Sequence, residues 1–251
     1  MTRGWTISTL AFAAAAGLAG SPATAAPGLD SKVYGARVER GVTEFESRFA
    51  RINGKTDDGA SALVLEVSHG FSDRFYGALL TTFEHEPDRP TQVSGVALEG
   101  IYRLGTIPGI GVEVAAYAEY AAAFHDAPHN FEVKALLEKS VGRFDARLNL
   151  VAERLVRSSA PVVYSYAASA DYAVIGDDIR LGAQAFGDLG DSDRFGGRQE
   201  HFVGPVAKFE IEHTPLGGEL GIETGYLFAV GAARDTARGQ ARLLLEWEFR
   251  F

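Results

Sequence analysis

Apolar and polar residues alternate at every second position through most of the chain, and this period constrains the fold more than any other feature. Near the C-terminus, Trp247 and Phe249 share one phase, whereas Glu246, Glu248 and Arg250 occupy the other. Such alternation is typical of a β-strand with two different faces, because successive side chains point to opposite sides. No segment after the first 25 residues shows a sustained helical period. The chain is therefore predicted to be all-β.

Across the whole chain, the alternation predicts twelve strands. They are placed at residues 37–51, 59–69, 75–86, 92–103, 110–122, 130–140, 143–156, 161–173, 178–188, 200–213, 218–230 and 238–251. The phase of the first strand changes near Gly41, which predicts a β-bulge there. Short connections rich in Gly, Pro, Asp and Ser alternate with connections that are mostly longer and more polar.

The N-terminus has the pattern of an export signal, predicted to span residues 1–25. Arg3 provides positive charge, an apolar stretch follows, and Ala23 and Ala25 occupy the two small positions of a cleavage site. The apolar stretch is far shorter than the ~20 residues of a membrane-spanning helix. Cleavage near Ala25 would leave residues 26–251, which are predicted to form one domain.

Composition excludes several classes of protein. Hydrophobic residues make up 46% of the chain and aromatic residues 11%, which is enough to bury a core and argues against disorder. The absence of cysteine excludes disulfide frameworks, thiolate metal sites and cysteine nucleophiles. A formal net charge of −9 argues against nucleic acid as a partner. We also expect no metal and no cofactor.

The length and number of the predicted strands separate a membrane barrel from a soluble β-sandwich. Strands of ~10–14 residues exceed the ~5–6 residues of ordinary strands and suffice to cross the hydrocarbon layer at a tilt. In lipid every backbone N–H and C=O needs an internal partner, so the sheet must close on itself. An even strand count with alternating turns and loops fits this architecture. The predicted fold is a transmembrane antiparallel up-and-down β-barrel of about 12 strands.

These features, together with the terminal Trp247-x-Phe249-x-Phe251, resemble bacterial outer-membrane β-barrels. The resemblance is one of pattern, covers the whole chain after the export signal and matches no single family. In that class the last strand ends in an aromatic residue and is recognised by the barrel-assembly machinery. The resemblance therefore implies that Trp247, Phe249 and Phe251 form an assembly signal. It also implies residence in the outer membrane of a Gram-negative cell, with membrane lipid and the assembly machinery as partners. The sequence departs from the usual signal in lacking a glycine at Leu243 to Leu245.

The polar face of each strand is predicted to line the barrel interior. The predicted lumen-lining acids are Glu44, Glu46, Glu66, Glu99, Glu113, Glu119, Glu132, Glu138, Asp145, Glu153, Glu210, Glu212, Glu219, Glu223, Glu246 and Glu248. The predicted lumen-lining bases are Arg48, Arg103, Lys134, Arg147, Arg180, Lys208, Arg242 and Arg250. Charges at this density cannot be buried without partners. The interior is therefore either a salt-bridged plug or a water-filled channel, and both interpretations stay open.

An acidic, water-filled lumen favours cations over anions because it focuses a negative potential. The first hypothesis is therefore an outer-membrane channel or transporter for small cationic or neutral solutes. The alternatives are a cell-surface barrel enzyme, a plugged structural or adhesive barrel, and a soluble periplasmic ligand-binding protein. No catalytic residue is predicted. Ser68 and His69 are adjacent on a strand and point to opposite faces, whereas Ser192 and His201 would have to meet through a loop.

Overall fold

The computed structural model describes residues 26–156, 159–176, 178–212 and 214–250. The predicted export signal and Phe251 lie outside this part of the chain. Within the described residues, no helix has the length and apolar character needed to span a membrane.

Twelve strands form one closed antiparallel barrel in the described part of the chain. They are β1 (Val42–Asn53), β2 (Ser61–Gly70), β3 (Phe75–His85), β4 (Gln92–Ile107), β5 (Val112–Ala123), β6 (Asn130–Val141), β7 (Phe144–Leu155), β8 (Val163–Ile175), β9 (Ile179–Asp191), β10 (Glu200–Ile211), β11 (Glu219–Gly231) and β12 (Gly239–Arg250). Each strand pairs with the next along the chain, and β1 pairs with β12 to close the sheet. The predicted up-and-down barrel of twelve strands is confirmed.

The two faces of the sheet have opposite chemistry. Phe45, Leu79 and Leu98 lie on the outer face, where between half and two thirds of each side chain is exposed. Glu46 and Glu66 point inward and are almost fully buried. Closure of the sheet leaves no strand edge unpaired, and this meets the demand for backbone hydrogen bonds in a hydrocarbon layer. An apolar outer face on a closed barrel is what the predicted membrane barrel requires.

The two ends of the barrel differ in their connections. The turn end carries the short links between strands, together with the first residue of β1 and the last residue of β12. The loop end carries the longer connections, which include two short 3-10 helices at Lys55–Asp57 and Ala232–Asp235. This alternation of short and long connections agrees with the pattern predicted from the sequence.

The predicted start of the first strand was wrong by five residues. β1 begins at Val42, and its register with β12 runs without a shift from Val42 to Asn53. The chain instead turns at Gly41, where φ is +80° and the N–H donates to the carbonyl of Gly70 over 2.8 Å. The phase change in the sequence therefore marks the point where a non-strand segment enters the barrel wall.

The β1–β12 register provides a direct test of barrel closure, because the chain has no cysteine of its own. Ser47 lies directly opposite Leu245 across this seam. Paired residues on neighbouring antiparallel strands have the Cα separation that a disulfide needs. We expect Ser47→Cys with Leu245→Cys to cross-link under oxidation, which would shift the mobility of the boiled protein on a non-reducing gel.

The matched control for closure moves one cysteine by a single residue. Ser47→Cys with Leu244→Cys places the two thiols on opposite faces of the sheet, so it should stay reduced under the same conditions. Equal cross-linking of both pairs, or of neither, would contradict the register.

Candidate functional site

The lumen is occupied by the chain's own N-terminal segment, residues 26–41, which we call the inner segment. Its first residues lie at the loop end, where the carbonyl of Pro27 accepts a hydrogen bond of 2.9 Å from Gln240 of β12. Its middle contacts β7 at Asn149. It leaves at the turn end through Gly41. The inner segment therefore threads the barrel from one end to the other before the chain enters β1.

At the loop end the inner segment packs into an apolar layer. Leu29 belongs to a cluster of buried residues that includes Ile52, Phe186, Phe202 and Leu227, and the last four are at most 2% exposed. Water is thus excluded from these side chains. Burial of several large apolar side chains stabilises the layer by roughly 1.5–3 kcal/mol for each.

A close backbone approach positions the segment within this layer. Gly28 has a φ of +79°, and a Cβ at this position would lie 2.4 Å from Cγ of Phe186. Only glycine allows both the backbone conformation and the contact with the ring. The guanidinium group of Arg242 also lies over the Phe186 ring, 4.3 Å from its centre.

Polar side chains of the wall satisfy the backbone of the inner segment. Asn149, which is fully buried, accepts from the N–H of Tyr34 over 2.8 Å and donates to its carbonyl over 3.0 Å. Glu138 accepts from the N–H of Ala36 over 2.8 Å. Arg242 donates to carbonyl groups near the start of the segment. A non-strand segment can remain buried because the wall replaces the ladder partners that it lacks.

The side chain of Lys32 projects from the inner segment into a group of wall carboxylates. Its ammonium group donates to Glu46, lies 3.5 Å from an oxygen of Glu66 and lies 3.8 Å from an oxygen of Glu44. Arg48 also contacts Glu46 and donates to Glu66 over 2.8 Å. The wall carboxylates therefore hold two cations, one from the wall itself and one from the inner segment.

A second charged group contacts Tyr34 of the inner segment on another part of the wall. The hydroxyl groups of Tyr34 and Tyr117 donate to Glu99 over 2.9 and 2.8 Å. The ammonium group of Lys134 lies 4.3 Å from the centre of the Tyr34 ring and 4.2 Å from that of Tyr117. Lys134 also pairs with Glu132 at 2.9 Å. These contacts hold the middle of the segment against β4, β5 and β6.

The turn-end half of the lumen contains a cavity of about 600 Å³ beside the inner segment. Ten acidic and six basic side chains line it. One side of the lining carries basic residues, which are Arg147 on β7, Arg180 on β9 and Lys208 on β10. Acidic residues predominate on the other side, on β11, β12 and β1. The cavity is thus polar and acidic on balance, and its charges are arranged unevenly around the wall.

The predicted lumen-lining residues differ in their burial. The buried ones are Glu46, Arg48, Glu66, Glu99, Lys134, Glu138 and Asp145. The half-buried ones are Glu44, Arg103, Glu113, Glu119, Glu132, Arg147, Glu153, Arg180, Lys208, Glu219, Glu223, Arg242, Glu246 and Glu248. The exposed ones are Glu210, Glu212 and Arg250.

The fold brings only some of these residues together. Glu44, Glu46, Glu66 and Arg48 meet around Lys32. Other predicted residues form separate groups: Arg103 pairs with Glu113 at 2.7 Å, and Arg250 pairs with the exposed Glu39 of the inner segment at 2.9 Å. The three carboxylates of Glu44, Glu46 and Glu246 lie within 4.8 Å of one another, close enough to share one cation.

Sequence reasoning missed several residues of the site. Lys32 and Tyr34 lie outside any strand, so the alternation gave no signal for them. Asp171 was detectable from the phase of β8, and it pairs with Arg180 at 2.5 Å and with Lys208 at 2.8 Å. Asn149 was likewise detectable as a polar residue in phase with Asp145 and Arg147 on β7.

The groups considered for an enzyme are not assembled. Ser192 accepts a hydrogen bond from the backbone of Val162, whereas His201 lies 3.3 Å from the hydroxyl of Tyr166. The ring of His69 contacts the hydroxyl of Thr43 at 2.8 Å. In the described residues, therefore, neither candidate serine is paired with its candidate histidine.

The predicted assembly residues lie at the turn end of the last strand. The rings of Trp247 and Phe249 are 4.9 Å apart on β12, and the indole N–H of Trp247 donates to the carbonyl of Gly217 over 2.9 Å. Phe251 lies outside the described residues.

Comparison with known proteins places the fold in a class. The sequence matches no protein-family model and no curated protein sequence. An outer membrane channel from Pseudomonas putida F1 aligns with a TM-score of 0.60 and 13% identity, over 85% of this chain and 97% of that chain. The KdgM porin and the NanC porin each align with a TM-score of 0.55 and 13% identity, over 82% of this chain and 99% and 100% of theirs. The fold is that of bacterial outer-membrane β-barrels, as the sequence resemblance implied.

Asn149 tests how firmly the inner segment is held. Asn149→Ala leaves the N–H and carbonyl of Tyr34 without these partners in a buried position, which costs about 1–3 kcal/mol for an unsatisfied group. We expect a lower free energy of unfolding and faster hydrogen exchange at the amide of Tyr34. Asn130→Ala makes the same truncation at a wall position outside these contacts and should leave that exchange unchanged. Equal exchange in the two variants would show that Asn149 does not anchor the segment.

Proposed function

We propose that this protein is an outer-membrane channel for small cationic or neutral solutes. The observation that carries the proposal is the acidic cavity of about 600 Å³ inside a closed barrel. A polar cavity of this size has room for water and a small solute. Because acids outnumber bases in its lining, it attracts cations and repels anions.

The inner segment acts as the gate of this channel in our proposal. The cavity occupies the turn-end half of the lumen, whereas Leu29 and its apolar neighbours pack in the loop-end half against β1, β2 and β8–β11. A hydrated solute that reaches this apolar layer must lose its water. Movement of the inner segment would open a path past this layer from one side of the membrane to the other.

The location and assembly of the protein follow from the same proposal. Cleavage near Ala25 would release residues 26–251 as the mature chain, with the inner segment at its start. Trp247, Phe249 and Phe251 would then direct the barrel-assembly machinery to insert the protein in the outer membrane. The lipid partner is the hydrocarbon layer around the exposed apolar face.

The solute of one structural relative does not transfer to this chain. The KdgM porin has also been solved in complex with disordered oligogalacturonate, and that structure aligns here with a TM-score of 0.53 at 12% identity. Galacturonate carries a carboxylate on every sugar, and the excess of acids in this cavity opposes such a ligand. We therefore propose cations and neutral solutes, and not anionic saccharides, as the solutes of this channel.

A second candidate function is a permanently plugged structural barrel. The observation that favours it is the number of contacts that hold the inner segment, which include the hydrogen bonds from Asn149, Glu138 and Gln240 and the ion pairs of Lys32. If these contacts never break, the barrel would not conduct.

Conductance separates the gated channel from the plug. Lys32→Ala with Asn149→Ala removes ion pairs and hydrogen bonds of the inner segment while the wall carboxylates remain. Charge-assisted hydrogen bonds contribute ~1.5–3 kcal/mol each, so we expect the open probability in planar bilayers to rise about tenfold or more. Heat-modifiable gel mobility checks that the variant is folded. A folded variant that conducts no more than the natural chain would favour the plug.

The charge of the cavity predicts the sign of the ion selectivity. In a salt gradient at low ionic strength, the reversal potential of the Lys32→Ala, Asn149→Ala variant should report preference for cations. Adding Glu219→Gln and Glu248→Gln should reduce the ratio of cation to anion permeability by about twofold or more. The control is Glu86→Gln in the same background, because Glu86 is exposed in a loop and should change the ratio little. Anion preference in the starting variant would refute the proposed solute class.

A further inference from the structure

The wall next to Lys32 contains a row of carboxylates on adjacent strands. The register places Glu66 of β2 opposite Glu46 of β1, and Glu46 opposite Glu246 of β12. One step towards the turn end, Glu44 lies between Ser68 and Glu248. Like charges directly opposite each other on neighbouring strands are destabilising. Cations beside the row therefore stabilise it.

The chain provides fewer cations at this place than the row has carboxylates. Lys32 and Arg48 both contact Glu46 and Glu66. Glu44 has only the longer contact of 3.8 Å to Lys32. Among the described residues, Glu246 has no ion pair within 4 Å. Glu44 and Glu246 are thus the carboxylates of the row with the weakest ionic contacts, and both of these residues line the cavity.

A second feature at the same place indicates a ligand. Ser68 lines the cavity beside Glu44, is only 3% exposed, and its hydroxyl has no hydrogen-bond partner among the described residues. Buried hydroxyl groups normally find a partner, because leaving one unpaired costs free energy. A donor in the cavity next to Glu44 would satisfy this hydroxyl.

The wall also leaves space in front of Glu246. Its neighbour on β11 is Gly221, and a Cβ added to Gly221 would lie 3.5 Å from a carboxylate oxygen of Glu246. Gly221 lines the cavity as well. The absence of a side chain at Gly221 keeps one side of the Glu246 carboxylate open to a ligand.

We propose that Glu44, Glu246 and Ser68 bind the primary ammonium group of a small solute that enters the cavity from the turn end. This inference rests on the proposed channel function and names its solute class. An ammonium group has three N–H donors, and these match two carboxylates and one hydroxyl acceptor. The neighbouring carboxylates already hold such a group, the ammonium of Lys32, which shows the kind of cation that this wall accepts.

A divalent metal ion fits the same place less well. An ion shared by Glu44, Glu46 and Glu246 would lie next to Lys32 and Arg48, since both cations contact Glu46. Their positive charges repel a divalent ion more strongly than a monovalent one. A quaternary ammonium ion fits poorly for another reason, because it has no N–H to donate to Ser68.

Calorimetric titration of propylammonium chloride into the detergent-solubilised full-length protein tests the site. We expect saturable binding with one site per barrel, and no binding of tetramethylammonium at the same ionic strength. Glu246→Gln should weaken the affinity for propylammonium about tenfold, because it removes a charged hydrogen-bond acceptor. Ser68→Ala should weaken it by a smaller factor and tests the site without a change of charge.

The matched control is Glu153→Gln, a neutralised carboxylate on the β7 wall that does not line the cavity. It should leave the affinity unchanged. Three outcomes would each overturn the inference. They are no saturable binding of propylammonium, a loss of affinity in the control as large as that in Glu246→Gln, and Ca²⁺ binding that depends on Glu246 where propylammonium binding does not. Binding does not depend on conduction. A barrel that conducts without binding propylammonium refutes the inference alone, and one that binds without ever conducting refutes the proposed channel alone.

Discussion

The requirement that every buried backbone group have a partner determines most of this structure. In a hydrocarbon layer the strands have no water with which to pair, so the sheet closes by joining β1 to β12. Closure then divides every strand into an outer and an inner face. The inner segment meets the same requirement in another way. It has no neighbouring strand, and side chains such as Asn149 supply the donor and acceptor that a strand would have provided.

The strands could be predicted from the sequence because the inside and outside of a barrel impose a period of two on each of them. All twelve predicted strands overlap an observed one. The largest error in a strand start is instructive. Residues 37–41 carry polar and apolar residues in a pattern that resembles alternation, but they lie outside any strand, at the turn-end mouth of the lumen. Local pattern cannot distinguish a strand that is paired with neighbours from an extended segment that is paired with side chains, since both are extended.

The composition of the lumen followed from the alternation, whereas its internal arrangement did not. The contact between Tyr34 and Asn149 joins residues 115 positions apart, and the contact between Pro27 and Gln240 joins residues 213 apart. Nothing in the sequence around Pro27 or Tyr34 indicates that these residues contact Gln240 or Asn149. The strand register could not be predicted for the same reason. Glu66, Glu46 and Glu246 form a row only because β2, β1 and β12 are aligned in one register, and β1 and β12 lie at opposite ends of the chain.

The two interpretations of the interior, plug and channel, therefore describe different halves of the same lumen. In the loop-end half Leu29 packs with apolar neighbours of β1, β2 and β8–β11, and the turn-end half holds a charged cavity. The row of carboxylates connects the two halves, because it holds the inner segment through Lys32 on one side and faces the cavity through Glu246 on the other. A cation that enters the cavity lowers the negative potential that holds Lys32 in place. In the proposed channel, a cationic solute in the cavity would therefore weaken the contacts that hold the inner segment across its path.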